Sequence, residues 1–188
     1  MRASVGLLLA SVGFVNIAAL PAFSQDPRPF TNKLAPYVAS PARVVDLMLE
    51  MAKIKPGETV YDLGSGDGRI VIAAAGKYKA KAVGVEISPK LVASASAEIE
   101  KAGLGGQARV VQGDVLQTDF TGADVVTMYL ETKLNAELRP HLEKFLKPGA
   151  RVVSHDYPVP GWKAARVEKV EGRVMHTIYL YEIQPAKQ

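Results

Sequence analysis

The chain has 188 residues, of which 48% are apolar and 22% charged, a composition typical of one globular domain with a sizeable core. It contains no cysteine, which excludes disulfides, thiolate metal sites and cysteine nucleophiles. The formal net charge of +4 is too small to indicate nucleic-acid binding, and no basic run is interleaved with aromatic residues.

The first 24 residues differ in composition from the rest of the chain. Arg2 precedes an apolar run over 3–20, and a proline and small residues follow over 21–25. This layout is typical of a secretory signal peptide cleaved after Ser24, and an uncleaved membrane anchor is the alternative. The segment therefore predicts an exported or periplasmic protein, or one tethered to the inner membrane through residues 3–20 with possible membrane association.

A proline-broken linker over 25–36 precedes a domain predicted over 37–188. Ser40 as N-cap and Pro41 at the first helical position predict the start of a helix. Apolar side chains at helical spacing follow as far as Met51, which indicates a helix with one face in the core.

Beyond this helix, apolar segments of strand length alternate with helical segments. The predicted helices cover 70–78, 89–101 and 135–146. The predicted strands cover 59–63, 82–87, 109–112, 123–130, 150–154, 165–170 and 173–183. Because parallel strands need crossover helices, this order predicts an α/β fold: a Rossmann-like, doubly wound, mostly parallel sheet of seven strands, the last one antiparallel, with helices on both faces.

A glycine-rich loop, Asp62-Leu63-Gly64-Ser65-Gly66-Asp67-Gly68-Arg69, joins the first strand to the next helix. Alternating glycines allow a sharp turn and close approach of a ligand, and ligands of open α/β sheets bind at such strand ends. The dinucleotide fingerprint requires glycine where Arg69 stands. The carboxylates of Asp62 and Asp67 would repel a pyrophosphate, so the loop indicates a ligand with an adenosine and a positive charge.

Two further carboxylates end the neighbouring strands. Glu86 ends the second strand, where a carboxylate can accept hydrogen bonds from both ribose hydroxyls. Asp114 follows the third strand, where it can accept from an adenine amino group. The plainer alternatives are a solvated strand-end glutamate and an ordinary turn aspartate.

The fourth and fifth strands end in candidates for the substrate side of the site. Tyr129 is either a pocket wall or a packing residue, and Glu131 follows it two positions later. His155 is either a base or a structural histidine. It is one of three histidines, with His141 and His176, that are scattered without metal-ligand spacing, so no metal site is predicted.

The D-x-G-x-G-x-G loop resembles motif I of the class I S-adenosylmethionine (SAM)-dependent methyltransferases. The segments Tyr-Val-Ala-Ser-Pro, Gly-Val-Glu-Ile-Ser-Pro, Leu-Arg-Pro and Pro-Gly-Ala-Arg-Val-Val-Ser-His resemble the bacterial branch of the FAM173-type seven-β-strand lysine methyltransferases. The similarity covers about 37–162. It implies SAM as cofactor, bound by the following residues: Asp62, Gly64, Ser65, Gly66, Asp67, Gly68, Glu86 and Asp114.

This resemblance implies N-methylation of a protein lysine by in-line transfer, with nucleophile and methyl group about 3 Å apart. Tyr129, Glu131 or His155 would assist loss of the amine proton. A small-molecule methyltransferase and an exported, non-catalytic binding protein that kept the fold are the alternatives. SAM is made in the cytoplasm, so the predicted cofactor and the predicted export signal are in conflict.

Overall fold

The structure, a computed structural model, describes residues 37–185. The predicted signal segment over 1–24 and the linker over 25–36 lie outside the described residues. Within 37–185, none of the helices is both long enough and apolar enough to cross a membrane.

Four helices and seven strands make up the described part of the chain. The helices are α1 (Ala42–Ala52), α2 (Arg69–Tyr78), α3 (Pro89–Lys101) and α4 (Thr132–Phe145). The strands are β1 (Thr59–Leu63), β2 (Lys81–Glu86), β3 (Ala108–Gln112), β4 (Val125–Met128), β5 (Arg151–His155), β6 (Arg166–Glu171) and β7 (Met175–Glu182). All of them were expected from the sequence, with small shifts at their ends.

The strands form one sheet in the order β3-β2-β1-β4-β5-β7-β6. Strands β1 to β5 pair in parallel, while β7 pairs antiparallel with both β5 and β6. The predicted mostly parallel sheet with an antiparallel last strand is confirmed. Chain order reverses between β1 and β4, and the carboxyl ends of these two strands therefore border the crevice in which α/β sheets bind ligands.

Two apolar clusters cover the two faces of the sheet, which confirms helices on both sides. Side chains of α1, α2 and α3, such as Met48, Val71 and Ile99, pack on one face. Leu138 and Leu142 of α4 pack with Phe120 on the other. Central strands are buried from both sides, which explains their nearly continuous apolar sequence.

The start of α1 corrects a prediction. Pro41 rather than Ser40 is the N-cap, and no side chain of the described residues caps this helix. The Ser40 hydroxyl instead lies 2.9 Å from His155 Nδ1, because the buried imidazole requires a polar partner. The same Ser-Pro pair at Ser88 behaves as predicted, since the Ser88 hydroxyl accepts from the Leu91 amide.

The start of α4 also differs from the prediction, which placed it at Asn135. The helix begins at Thr132, one turn earlier, and Asn135 is buried inside it. The Asn135 side-chain amide donates to the Tyr157 carbonyl at 2.9 Å. A tertiary hydrogen bond, rather than helix capping, explains this polar residue.

Gly84, in the middle of β2, leaves room for the loop that follows β1. A Cβ at this position would lie 2.5 Å from Ser65 Oγ and 3.0 Å from Val110 Cγ2. We therefore expect Gly84→Ala to lower the free energy of unfolding by about 1–3 kcal/mol, measured by urea denaturation. Gly76→Ala is the matched control, because its Cβ would lie 3.7 Å from the nearest atom in a helix that favours alanine. Equal stability of the two variants would contradict this prediction.

Candidate functional site

A cavity of about 690 Å³ opens at the carboxyl ends of the central strands. Its walls are the glycine loop, the end of β2, the turn after β3, the first turn of α4 and the segment 37–40 before α1. This volume lies in the range typical of sites for small molecules and cofactors.

The glycine loop is held against the end of β2 by its own backbone. The amides of Gly64 and Ser65 donate to the Val85 carbonyl at 2.9 and 3.0 Å. The Gly66 amide donates to Glu86 Oε2 at 2.8 Å. Gly64 and Gly66 have φ of +78° and +55°, a region that favours glycine. These three N–H groups are engaged with β2, so the loop does not present them to a phosphate.

The structure brings most of the predicted cofactor residues to one cavity. Those that line it are Asp62, Gly64, Ser65, Asp67, Glu86 and Asp114. Gly66 and Gly68 are not part of the lining, but their lack of a side chain allows close packing of the loop. A Cβ on Gly66 would lie 2.3 Å from the Tyr37 ring, and one on Gly68 would lie 3.0 Å from Ala95 Cβ.

Asp62 is the most deeply buried carboxyl group of the cavity. Its Oδ1 accepts a hydrogen bond from Thr127 Oγ1 at 2.7 Å. Burial raises the pKa of Asp62 to about 7, and the neighbouring carboxylates of Glu86 and Asp67 add to this shift while Thr127 opposes it. A cationic ligand group would favour the ionised form of Asp62.

Glu86 and Asp114 each combine a structural hydrogen bond with spare acceptor capacity. Glu86 Oε1 accepts from the Ser88 amide at 2.9 Å, in addition to the bond from Gly66. Asp114 Oδ1 accepts from the Leu116 amide at 2.9 Å. A carboxylate has about four acceptor positions, so both groups retain lone pairs for a ligand.

Asp67 has a cationic partner within the protein. Arg69 Nη2 lies 2.6 Å from Asp67 Oδ2, and this guanidinium lowers the pKa of Asp67. Arg69 Nη1 donates to the Ser40 carbonyl at 2.7 Å, which joins the loop to the segment before α1. Tyr37, Ser40 and Arg69 were not predicted as site residues, although Tyr37 and Ser40 lie in the Tyr-Val-Ala-Ser-Pro motif that carried the resemblance.

On the acceptor side, Tyr129 and Glu131 line the cavity. The Tyr129 hydroxyl donates to Asp156 Oδ2 at 3.3 Å. Burial and the adjacent Asp156 carboxylate raise the pKa of Tyr129 to about 12, so its phenol stays protonated at neutral pH.

His155 lies behind Tyr129 and is fully buried. The two rings are in contact, with centroids 3.8 Å apart. Burial lowers the pKa of His155 to about 4. His155 is not part of the cavity lining, so the structure places Tyr129 and Glu131, but not His155, where an acceptor could contact them.

A family model for the ANTKMT methyltransferase domain matches residues 62–166. The chain belongs to this family. A protein-lysine N-methyltransferase from Saccharolobus islandicus (strain REY15A) is 51% identical over 79% of this chain and 93% of that protein. An adenine nucleotide translocase lysine N-methyltransferase from Mus musculus is 36% identical over 70% of this chain, which spans only 57% of the mouse protein.

A solved structure supports SAM, the cofactor predicted from the sequence. The RNA methyltransferase from Salinibacter ruber, in complex with S-adenosyl-L-homocysteine, is 42% identical with a TM-score of 0.76. The match covers 80% of this chain and 97% of that one. The chain is therefore a SAM-dependent methyltransferase, as the sequence predicted.

The residues present fit this cofactor. The buried Asp62 suits a cation, and the lone pairs of Glu86 and Asp114 suit hydroxyl and amino donors. The buried Ser65 hydroxyl in the lining has no hydrogen-bond partner among residues 37–185.

The raised pKa of Asp62 predicts a pH-dependent stability of the ligand-free protein. Because the folded pKa of about 7 lies above the ordinary 3.8, the folded state holds the proton more tightly than the unfolded state. The contribution of Asp62 to stability is therefore fully present below pH 3.8 and is lost as pH rises to about 7, with a loss of about 1 kcal/mol between pH 6 and pH 8. Urea denaturation should show this loss in the wild type relative to Asp62→Asn. Parallel pH profiles of the two proteins would contradict the prediction.

Proposed function

We propose that the protein transfers the methyl group of SAM to the side-chain amine of a protein lysine. The observation that carries this proposal is the charge of the cavity within the described residues. Six carboxyl side chains and two basic ones line it: Asp62, Asp67, Glu86, Asp114, Glu131 and Glu137 against Arg69 and Lys133. Outside the predicted cofactor residues and the Asp67–Arg69 pair, Glu131 and Glu137 against Lys133 leave the acceptor side acidic, which favours a cationic acceptor. The names of the Saccharolobus islandicus and mouse relatives, both lysine methyltransferases, support the same acceptor.

The proposed roles follow from position. SAM supplies an already activated methyl group on a sulfonium. The protein has to place the acceptor nitrogen in line with that group and keep water away, for which Leu130 and Leu134 provide apolar lining. Glu131, at the N-cap of α4, attracts the lysine ammonium. Tyr129, held by its bond to Asp156, offers its phenol oxygen to the amine.

An RNA acceptor is the competing possibility, because the similar Salinibacter ruber protein is named as an RNA methyltransferase. The acidic lining disfavours it, since a phosphate backbone seeks basic residues. The names of the lysine methyltransferase relatives favour a protein acceptor over a small molecule.

Labelled SAM distinguishes these acceptors. The full-length protein is incubated with membrane proteins, soluble proteins, total RNA and a small-molecule extract from the same cells. We expect label in protein, located on lysine Nζ by mass spectrometry, and none with Asp62→Ala. Label found in RNA or small molecules, but not in protein, would overturn the proposal.

Tyr129→Phe tests the proposed role of the phenol. We expect turnover to fall by about tenfold, the equivalent of one lost hydrogen bond of about 1.4 kcal/mol, with unchanged S-adenosylhomocysteine affinity. Tyr157→Phe is the matched control, because the Tyr157 ring lies 6.0 Å from Tyr129 but is not part of the cavity lining. Equal turnover of the two variants would assign Tyr129 a packing role only.

The need for SAM also bears on the segment over 1–24. SAM is made in the cytoplasm, so we propose that the segment is an uncleaved tether and that the domain faces the cytoplasm. N-terminal sequencing of the membrane-bound protein would contradict this if it began after Ser24.

A further inference from the structure

Two histidines and an aspartate meet where β5 ends beside β7. His155 Nε2 lies 2.9 Å from His176 Nδ1 and 3.2 Å from Asp156 Oδ2. His176 Nδ1 lies 3.0 Å from the same carboxylate oxygen. We call these three residues the His155–Asp156–His176 cluster. Sequence spacing could not show it, because pairing of β5 with β7 brings the two histidines together.

While the Asp156 carboxylate is ionised, no placement of protons on the two ring nitrogens gives all three atoms favourable hydrogen bonds. A ring nitrogen carries at most one proton, which points outward in the ring plane. The two nitrogens, 2.9 Å apart, must share a single proton between them. The other nitrogen is then unprotonated. Its lone pair faces a lone pair of the ionised Asp156 carboxylate, and this contact is repulsive. If both nitrogens are protonated towards Asp156, the two N–H groups oppose each other instead.

A cation at the centre would satisfy all three atoms together. Bond lengths of about 2.0–2.1 Å place ligand atoms about 3.0 Å apart on an octahedral face and about 3.3 Å apart in a tetrahedron. The observed separations of 2.9, 3.0 and 3.2 Å are close to these values. Two imidazoles and one carboxylate form a common ligand set for divalent transition metals.

Neighbouring groups orient the three ligand atoms through further hydrogen bonds, as is usual for metal ligands. His155 can donate its Nδ1 proton to the Ser40 hydroxyl, 2.9 Å away, which leaves Nε2 bare. The Thr177 amide donates to Asp156 Oδ1 at 2.8 Å, so Oδ2 is directed into the cluster. His176 is nearly buried, with 9% exposure, whereas the Asp156 side chain is 25% exposed and connects the cluster to solvent.

We propose that the His155–Asp156–His176 cluster binds one divalent transition-metal ion such as Zn²⁺. The ion takes His155 Nε2, His176 Nδ1 and Asp156 Oδ2 as ligands, and water completes its coordination. It ties β5 to β7 directly behind the Tyr129 ring, so its role is to stabilise this wall of the cavity. This proposal does not depend on whether a protein lysine is the methyl acceptor.

The test measures metal binding to the full-length protein after removal of any histidine tag and treatment with a chelator. We expect about one equivalent of Zn²⁺ by calorimetry and metal analysis, visible absorption bands with Co²⁺, and a higher melting temperature with Zn²⁺. His176→Gln should weaken Zn²⁺ binding at least tenfold and abolish the Co²⁺ bands. Asp156→Asn provides a second variant if His176→Gln does not fold.

His141→Gln is the matched control, because His141 lies on α4 outside the cluster. It should bind Zn²⁺ like the wild type. Retained S-adenosylhomocysteine binding in all variants shows that they are folded and separates this test from the proposed function. The proposal is overturned if the wild type binds no stoichiometric Zn²⁺, or if His176→Gln and Asp156→Asn bind it equally well. Either result would make the cluster a set of hydrogen bonds only.

Discussion

The closure of the glycine loop onto the end of β2 is the constraint on which the site depends. It requires backbone amides that point at β2, glycines with positive φ, and a residue without Cβ at Gly84 beneath Ser65. Once those amides bond to Val85 and Glu86, side-chain carboxylates rather than N–H groups define the cavity. The same sheet topology that binds pyrophosphates elsewhere is thereby converted into a receptor for a cationic nucleoside.

The carboxylates of the cavity do not have equal electrostatic roles. Asp67 is neutralised by Arg69 and belongs to the scaffold that joins the loop to Ser40. Among residues 37–185, Asp62 has only a neutral hydroxyl as side-chain partner, and its burial makes the charge costly until a cation arrives. Because Asp62 is the most deeply buried of these carboxyl groups, a cationic ligand gains most from its charge.

The sequence was informative where structure is determined by local pattern. The apolar run of β1, the glycines after it, and Glu86 and Asp114 at successive strand ends each have a local signal, and the fold places them together. The errors arose where distant residues compete with a local pattern. Ser40 and Ser88 both precede proline, yet only Ser88 caps its helix, because Ser40 meets a histidine more than a hundred residues away.

The histidine cluster was missed for a related reason. Two short strands separated along the chain were predicted, but their pairing partners were not. The register of β5 against β7 depends on which edge the closing strand occupies, and this carries no periodicity that a single sequence displays. His155 was therefore expected to be either a base or substrate contact at a strand end or a structural histidine, and the fold buries it against His176.

The position of β7 has a consequence for where this domain can be divided. The segment that identifies the family, 62–166, ends at the start of β6 and omits both β7 and the wall formed by 37–40. Since β7 lies between β5 and β6, a fragment cut at those limits would expose the edge of β5 and lack one wall of the cavity. The smallest fragment that can fold and bind the cofactor is therefore longer than the segment 62–166 that matches the family.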